Sequence, residues 1–327
     1  VGLVVDEAAE HFGRGDFLVR GVLGAEQAAG ALRIGARAPV GTTAVGVIGG
    51  ALEAEEGAAV SLWAANVGRA EPVRLETVRS DVGTAVVGMP DAAESGERTV
   101  ILLADPFSFP ADAFLQAAND QYPDLAVVGG VASAPGGPGA NRLALDGAIH
   151  TDGAVGVLLP AGLGEFTVVS QGCRPVGSPL IVTAADGALV RGLGSRPALE
   201  RLSELYDGAA EDERSLIASG LHVGLVVDEA AEHFGRGDFL VRGVLGAEQA
   251  AGALRIGARA PVGTTLQFHV RDADSARADL HELLRAVDAD AALLFSCNGR
   301  GHRLFGEADH DATAVARVAD PGAVAGV

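Results

Sequence analysis

The strongest constraint on this chain is a long string of residues that occurs twice. Residues 1–43 and residues 223–265 are identical letter for letter. Repeat architectures stack at least three similar units at a short and regular period. Two distant copies without a single difference do not fit that pattern and indicate a duplication that is very recent or artificial. We therefore interpret one copy as displaced, and not as a structural repeat.

The residues that follow each copy predict which one is native. The second copy continues into residues 266–270, where Phe268 and Val270 extend the alternation of a strand. The first copy runs into the glycine-rich stretch 44–50. We therefore assign 223–265 as the native segment and 1–43 as its displaced duplicate. A displaced copy would compete for the docking surface of the native one, which is a route to domain swapping.

Strand and helix signals alternate between the two copies. Residues 99–104 and 125–128 are typical of buried strands. The stretch 110–121 between them predicts a helix with proline in its first turn. The helical period places three apolar residues on its inward face: Phe114, Leu115 and Ala118.

Asp-Gly pairs, which are typical of tight hairpin turns, occur at 146–147, 152–153 and 186–187. Hairpins make the sheets at least partly antiparallel. Helices predicted at 196–206 and after a capping residue, either Asp272 or Asp274, should cover the outer faces of the sheets. The predicted fold class is therefore α/β of the α+β type, with two lobes of mixed, partly antiparallel sheets covered by helices.

Composition and charge exclude several functions. The net charge is −19, and such a surface repels nucleic acid and anionic membranes, because both need basic patches. No apolar run reaches the roughly 18 residues of a membrane span. The two cysteines, Cys173 and Cys297, form no CxxC pair, which favours a reducing compartment. We expect a soluble cytoplasmic protein with no nucleic-acid partner and no membrane partner.

Several ordered segments of the chain resemble the FIST family. RPALE at 196–200, which opens a helix, resembles the FIST pattern at the join between its N- and C-terminal domains. The segments that resemble the FIST C-terminal domain are 238–245, 252–257, 263–272 and SCNGRG at 296–301. The segments 128–130 and 152–157 resemble the FIST N-terminal domain. The resemblance covers about residues 44–327.

The resemblance implies a bacterial sensory protein of signal transduction, not an enzyme. It implies a FIST N-terminal-like domain at 44–195 with its start missing, and a FIST C-terminal-like domain at 196–327 with its end missing. The implied ligand is an amino acid or another small metabolite, without a cofactor. A sensor of this kind acts through a signalling partner protein or a homo-oligomer. Two alternatives stay open: a Cys-dependent hydrolase-like enzyme, and a protein-interaction scaffold like the F-box relatives of the family.

One part of the candidate ligand site is the turn after a strand predicted at 291–296. Cys297, Asn298 and Arg300 lie in this turn, and ligands collect at strand ends in open sheets. The planar fork of an arginine suits a carboxylate. Cys297 would also be the nucleophile of the alternative hydrolase, which needs a positioned base.

The other part is a glycine-rich loop after the strand at 125–128. Its candidate ligand contacts are Gly129, Gly130, Ser133, Asn141 and Arg142. Glycines permit a ligand to approach the backbone closely. The loop lacks the Lys-Ser/Thr pair of a phosphate-binding loop, and a plain connecting loop is the alternative interpretation.

A cluster of acidic residues and histidines near the C-terminus is the remaining candidate for chemistry. The set could in principle hold a metal, but it is more typical of a charged helix start, and we predict no metal and no catalytic residue. Its members are His302, Glu307, Asp309, His310 and Asp311.

Overall fold

The computed structural model describes residues 17–19, 23–24, 40–57, 59–65, 67–81, 83–91, 98–163, 167–231, 233–235 and 237–327. Most of the first copy of the repeat lies outside the described residues, so its displacement stays a prediction. The chain forms two compact units. The first comprises Val1–Val168 and Ala286–Val327, and the second comprises Val169–Arg285.

The described residues form a mixed α+β structure. In chain order the strands are β1 (Phe17–Val19), β2 (Leu23–Gly24), β3 (Val40–Thr42), β4 (Val47–Gly49), β5 (Leu52–Ala54), β6 (Ala59–Val60), β7 (Trp63–Ala65), β8 (Glu71–Ser80), β9 (Gly83–Val87), β10 (Arg98–Ala104), β11 (Leu125–Val131), β12 (Leu143–Leu145), β13 (Ala148–His150), β14 (Ala154–Leu158), β15 (Cys173–Asp186), β16 (Leu189–Leu193), β17 (Arg196–Pro197), β18 (Leu221–Val226), β19 (Phe239–Glu248), β20 (Ala253–Ile256), β21 (Thr265–Arg271), β22 (Ala292–Leu294) and β23 (Val324–Gly326). The helices are α1 (Ala111–Gln121), α2 (Ala198–Gly208), α3 (Glu211–Ser219), α4 (Ala273–Leu284), α5 (His302–Phe305) and α6 (His310–Val315), with 3₁₀ turns at Gln249–Ala251 and Pro321–Ala323. Within the part of the chain that the structure describes, no helix is long and apolar enough to cross a membrane.

The largest sheet of the first unit has five strands in the order β11, β10, β14, β8, β9. β10 and β11 run parallel and are connected by α1, because a parallel pair needs a crossover. The other neighbours are antiparallel. Val100 on β10 and Leu158 on β14 are fully buried and lie in one hydrophobic cluster with Phe114 of α1. The strand predicted at 99–104 is confirmed as β10.

Helix α1 lies close to its predicted bounds and buries Phe114 and Ala118, which are four residues apart. The prediction that Leu115 also faces inward is wrong, because this side chain is 39% exposed. One residue advances a helix by about 100°. That rotation carries Leu115 away from the face that Phe114 buries.

Four smaller sheets complete the described part of the first unit, and two of them are the antiparallel pairs β1–β7 and β2–β6. One has the order β13, β12, β3, and another has the order β22, β23, β4, β5. The hairpin predicted at 146–147 is confirmed by the pairing of β12 with β13. The hairpin predicted at 152–153 is wrong, since β13 pairs with β12 whereas β14 pairs with β10 and β8. The chain changes sheets at this point through Gly153, which has a φ of +65°.

The second unit contains a closed antiparallel ring of six strands. The pairings run from β15 through β21, β18, β19, β20 and β16 and return to β15. Two long strands close the ring. β15 pairs first with β21 and then with β16, and β19 pairs first with β18 and then with β20. Closure of a sheet on itself removes the exposed edges that an open sheet would present.

The predicted elements of the second unit are largely confirmed. β15 and β16 form the hairpin at 186–187, and α2 begins two residues after the predicted start at 196. Asp272 caps α4 by accepting a hydrogen bond from the Asp274 N–H at 3.1 Å. The alternation predicted for Phe268 and Val270 is not observed, because every residue from 265 to 270 is buried. Both faces of β21 are therefore covered.

The two copies of the repeated string differ in structure where both are described. Val40–Thr42 forms strand β3 and pairs with β12. The same three residues at 262–264 form a turn, in which Gly263 has a φ of +99°. Identical local sequence therefore adopts two conformations, and the tertiary partners decide between them.

Candidate functional site

A buried polar network lies at the carboxyl end of β10. Asp105, the first residue after this strand, is 1% exposed. Its Oδ2 accepts hydrogen bonds from the Ser108 hydroxyl at 2.6 Å and from the Phe107 N–H at 3.2 Å. Its Oδ1 accepts a hydrogen bond from Nδ2 of Asn141 at 2.8 Å. Because burial of a carboxylate is unfavourable without such donors, the network fixes the β10–α1 loop, residues 105–110.

Asn141 connects this loop to the glycine-rich loop. It is 1% exposed, and its Oδ1 accepts a hydrogen bond from the Ala134 N–H at 3.0 Å. The Ser108 hydroxyl in turn accepts from the Gly153 N–H at 2.9 Å. The sequence predicts Asn141 as a ligand contact, whereas the structure engages both ends of its amide in internal hydrogen bonds.

Gly129 and Gly130 lie within β11 and not in the loop that follows it. Gly129 has a φ of +138°, and a Cβ added there would lie 1.9 Å from the Leu102 carbonyl oxygen. A Cβ on Gly130 would lie 3.4 Å from Cδ1 of Phe295. The close approach that requires glycine at 129 is therefore an approach of Leu102 of the protein itself, whereas a Cβ at Gly130 would make an ordinary van der Waals contact with Phe295.

Ser133 and Arg142 attach the glycine-rich loop to residues 43–45. The Ser133 Oγ accepts a hydrogen bond from the Val45 N–H at 3.1 Å. The Thr43 N–H donates to the Arg142 carbonyl at 3.0 Å, and the Thr43 carbonyl accepts from the Ser133 N–H at 3.2 Å. The Arg142 Nη1 donates to three carbonyls of its own loop at 2.7–3.2 Å.

A groove opens beside the β10–α1 loop, between α1 and the hairpin of β8 and β9. Its volume is about 660 Å³, within the range of roughly 300–1,000 Å³ that is usual for small-molecule pockets. Residues 106–110 form one wall, so Ser108 belongs both to the buried network and to the groove. The other polar residues of the lining are Thr77, Arg79, Thr84 and Gln121, and its aromatic residues are Phe107, Phe109, Phe114 and Tyr122.

Cys297 and Asn298 lie exposed shortly after β22. The Cys297 carbonyl accepts a hydrogen bond from the Arg300 N–H at 2.9 Å, which closes the turn. Phe295, two residues before the cysteine, packs against the hydrophobic cluster that contains Leu103 and Leu143, and it approaches Gly130. The strand end that precedes the Cys297 turn therefore lies beside Gly130 within the first unit.

The guanidinium of Arg300 is paired with an internal carboxylate. Nε and Nη2 donate to the two carboxylate oxygens of Asp311 at 2.5 and 2.8 Å, and the two side chains are 10% and 4% exposed. Nδ1 of His310 lies 2.9 Å from Oδ1 of Asp311. The His310 ring stacks on Phe305 with its centroid at 3.6 Å. The fork that the sequence assigns to a ligand carboxylate thus faces Asp311 in this structure.

The pKa values of two carboxyl groups in this region are shifted in opposite directions. Burial alone would raise the pKa of Asp311, but the hydrogen bonds and charge of Arg300, with the hydrogen bond to His310, lower it below its usual value. Burial raises the pKa of Glu53, against the hydrogen bond from the Ala312 N–H, and the charge of Asp311 raises it further. Asp311 is therefore held as a carboxylate beside a carboxyl group that resists ionisation.

Three members of the acidic and histidine cluster at 302–311 make hydrogen bonds within the protein: Asp309, His310 and Asp311. Oδ1 of Asp309 accepts a hydrogen bond from the Glu53 N–H at 2.6 Å, while His310 and Asp311 make the contacts described above. Among the residues that the structure describes, no group of three or more His, Cys, Asp or Glu side chains is placed to hold a metal ion.

Comparison with protein families accounts for nearly the whole chain. The FIST N domain matches residues 25–196, and the FIST C domain matches residues 198–327. The chain belongs to the FIST family. FIST domains are sensory domains that bind small ligands. The resemblance predicted from the sequence is confirmed.

Similar FIST proteins occur in mycobacteria. The uncharacterized protein Rv0628c of Mycobacterium tuberculosis is 44% identical over 286 residues, which covers 84% of this chain and 73% of the relative. The uncharacterized protein Mb0898c of Mycobacterium bovis is 43% identical over 286 residues, which covers 84% of this chain and 72% of that protein. No solved structure is significantly similar to the chain.

The FIST ranges and the compact units divide the chain differently. β15 and β16 lie in the FIST N range, and β18 to β21 lie in the FIST C range, yet all six belong to the ring of the second unit. The last residues of the FIST C range, from 286 onwards, belong to the first unit. The domain bounds predicted from the sequence, 44–195 and 196–327, stay a prediction about the FIST domains.

The site residues predicted from the sequence do not include Asp105, which is the centre of the buried hydrogen-bond network. Asp105 directly follows a buried strand, and that position was a usable signal, because polar groups at strand ends collect at functional edges. Phe107 and Phe109 carry no periodic signal, since they lie between Pro106 and Pro110 in a loop. Their shared place in the groove of this FIST protein depends on the hairpin of β8 and β9.

Proposed function

We propose that this FIST protein is a sensor that binds a small metabolite, such as an amino acid, in the groove beside the β10–α1 loop. The observation that carries the proposal is a groove of about 660 Å³ with aromatic walls and a few polar groups. Ligand pockets typically combine a mostly apolar lining with a small number of placed polar groups. Membership of the FIST family supports the sensory role, and the groove is the proposed binding site for the ligand.

The buried network beside the groove supports a role in sensing. Ser108 lines the groove and donates its hydroxyl hydrogen to Asp105, which Asn141 ties to the glycine-rich loop. A ligand that contacts the 106–110 wall would therefore act on a loop coupled to residues 132–142. A ligand shifts an equilibrium only through a difference in its contacts with the two states. Ligand contacts with this wall could therefore change the conformation of residues 132–142 within the first unit.

The second part of the proposal concerns the partner through which the sensor acts. We expect the protein to act in the cytoplasm, through a signalling partner protein or through association with a second copy of itself, and without a cofactor. The net charge of −19 favours partners other than nucleic acid.

Thermal unfolding with a panel of amino acids and central metabolites tests the proposal. A ligand that binds the folded protein at 100 times its Kd adds about 2.7 kcal/mol of stability, which raises the Tm. Ala117→Trp places a large side chain in the groove, whereas Gln116→Trp changes an exposed position of the same helix outside the lining. We expect the shift to disappear only in Ala117→Trp. A panel that shifts no Tm, or equal shifts in the two variants, would overturn the proposal.

A second location for the same ligand is the edge formed by the glycine-rich loop and the Cys297–Asn298 turn. The approach of Gly130 to Phe295 and the exposure of Cys297 and Asn298 favour it. In that case Asn298→Ala would remove the ligand-induced shift and Ala117→Trp would keep it. Turnover of ester substrates that is lost in Cys297→Ser would instead support the hydrolase alternative.

A further inference from the structure

The aromatic content of the groove is high for this chain. Aromatic residues make up 4% of the sequence, yet Phe107, Phe109, Phe114 and Tyr122 all line this one groove. The rings of Phe109 and Phe114 lie 5.2 Å apart at an angle of 54°. Phe107 is 49% exposed, so part of its ring stays available to a molecule in the groove. Aromatic faces and edges favour a planar ring as their partner.

The charge of the groove is opposite to that of the chain. The protein carries 43 acidic residues and a net charge of −19, but the lining contains no aspartate or glutamate and one arginine, Arg79. Arg79 makes no ion pair with any residue that the structure describes. Its partner strand places Thr84 opposite it in the β8–β9 hairpin. The groove is therefore electrostatically suited to an anionic group and offers no carboxylate to an ammonium group.

A buried hydroxyl in the lining adds a polar contact. Oγ1 of Thr77 is buried and has no hydrogen-bond partner among the described residues. Thr77 and Arg79 lie two residues apart on β8, so their side chains point to the same side of the hairpin. Buried hydroxyl groups in proteins almost always have a partner. Because Oγ1 of Thr77 is shielded, this side chain would have to rotate toward the groove for a ligand oxygen near Arg79 to supply one.

The geometry points to an aromatic carboxylate as the ligand of this groove, an inference that rests on the function proposed above. The ring lies among Phe107, Phe109, Phe114 and Tyr122, and the carboxylate lies at the Arg79 end beside Thr77. Within the class of small metabolites, this inference favours acids without an α-ammonium group over the corresponding amino acids.

Titration calorimetry with four matched probes tests the inference: 3-phenylpropionate, 3-phenylpropanamide, 3-cyclohexylpropionate and phenylalanine. We expect 3-phenylpropionate to bind tightest, and the neutral amide to bind roughly tenfold weaker, because the charge-assisted hydrogen bond is lost. The saturated ring and the zwitterion should each bind several-fold weaker. Arg79→Gln should abolish the preference for acid over amide, because it should weaken the binding of the acid much more than that of the amide. Arg259→Gln, an exposed arginine in the second unit, should change neither affinity.

The outcomes separate the ligand class from the function. Equal affinity for acid and amide, equal affinity for the aromatic and saturated rings, or an intact acid preference in Arg79→Gln would overturn the aromatic carboxylate. If none of the probes binds but another metabolite gives a shift that Ala117→Trp removes, the ligand class is wrong and the sensor proposal stands. If no metabolite of any class binds, both are wrong.

Discussion

The Asn141 side-chain amide donates a hydrogen bond to Oδ1 of Asp105 at 2.8 Å, and each residue is 1% exposed. Asn141→Ala would leave this buried carboxylate oxygen without its donor. We expect the free energy of unfolding to fall by about 1–3 kcal/mol, measured by denaturant titration. Asn298→Ala removes an exposed amide and should change it by less than about 0.5 kcal/mol. Equal losses in the two variants would contradict the structural role of Asn141.

The pairing of Arg300 with Asp311 predicts a large penalty for removing one partner alone. Arg300→Met leaves the carboxylate of Asp311, which is 4% exposed, without its main counter-charge. We expect a loss of about 3–5 kcal/mol in the free energy of unfolding, with partial recovery when Asp311→Leu is added. Arg303→Met changes an exposed arginine nearby and is the matched control. A wild-type stability in Arg300→Met would show that the ion pair does not form in solution.

The repeated string provides a control for a substitution in the ring of the second unit. A Cβ on Gly224 would lie 2.5 Å from Cε1 of His269 and 2.8 Å from Cδ1 of Phe239. We expect Gly224→Ala to lower the free energy of unfolding by about 1–3 kcal/mol through overpacking. Gly2→Ala makes the same change in the same local sequence of the first copy. Should Gly2→Ala be the more damaging of the two, the assignment of 223–265 as the native segment is wrong.

The second unit should lose stability on mild acidification. His222 and His269 lie opposite each other on β18 and β21, and burial lowers the pKa of each below the usual 6.5, despite hydrogen bonds to the Gly220 and Gln267 carbonyls. Below about pH 6.5 the unfolded chain therefore takes up protons that the folded chain does not, so the free energy of unfolding falls as the pH falls.

The Tm measured at pH 7.5 and pH 5.5 checks this prediction. The decrease should be smaller in His269→Gln than in the wild type, whatever the effect of that substitution at pH 7.5. His281→Gln, which changes an exposed histidine of α4, should retain the wild-type decrease. An unchanged decrease in His269→Gln would mean that other groups cause it.

The sequence predicts elements whose signals are local. The apolar run at 99–104 identifies β10, and the spacing of Phe114 and Ala118 identifies α1, because each pattern is complete within a few residues. The closed ring has no such signal. It depends on β15 and β19, each of which changes partners along its length. Pairings between distant strands are decided by the whole unit.

The candidate site shows the same difference between local sequence signals and contacts between distant residues. Glycine and asparagine content draws attention to the loop that holds Asn141, but the partner Asp105 lies 36 residues away in sequence. The fork of Arg300 is a sound candidate for a carboxylate, yet the carboxylate it meets belongs to Asp311 of its own chain. A residue type predicts which groups a side chain can bind, whereas the fold decides which of them it contacts.

The ring of the second unit draws strands from both FIST ranges, and this has a consequence for how such genes can be rearranged. Recombination near residues 196–198 would separate β15 and β16 from β18 to β21. Each product would carry an unclosed sheet with exposed edges, which promote aggregation. We therefore expect the two FIST ranges to be transferred together in gene fusions, with new modules attached outside the pair and not between its members.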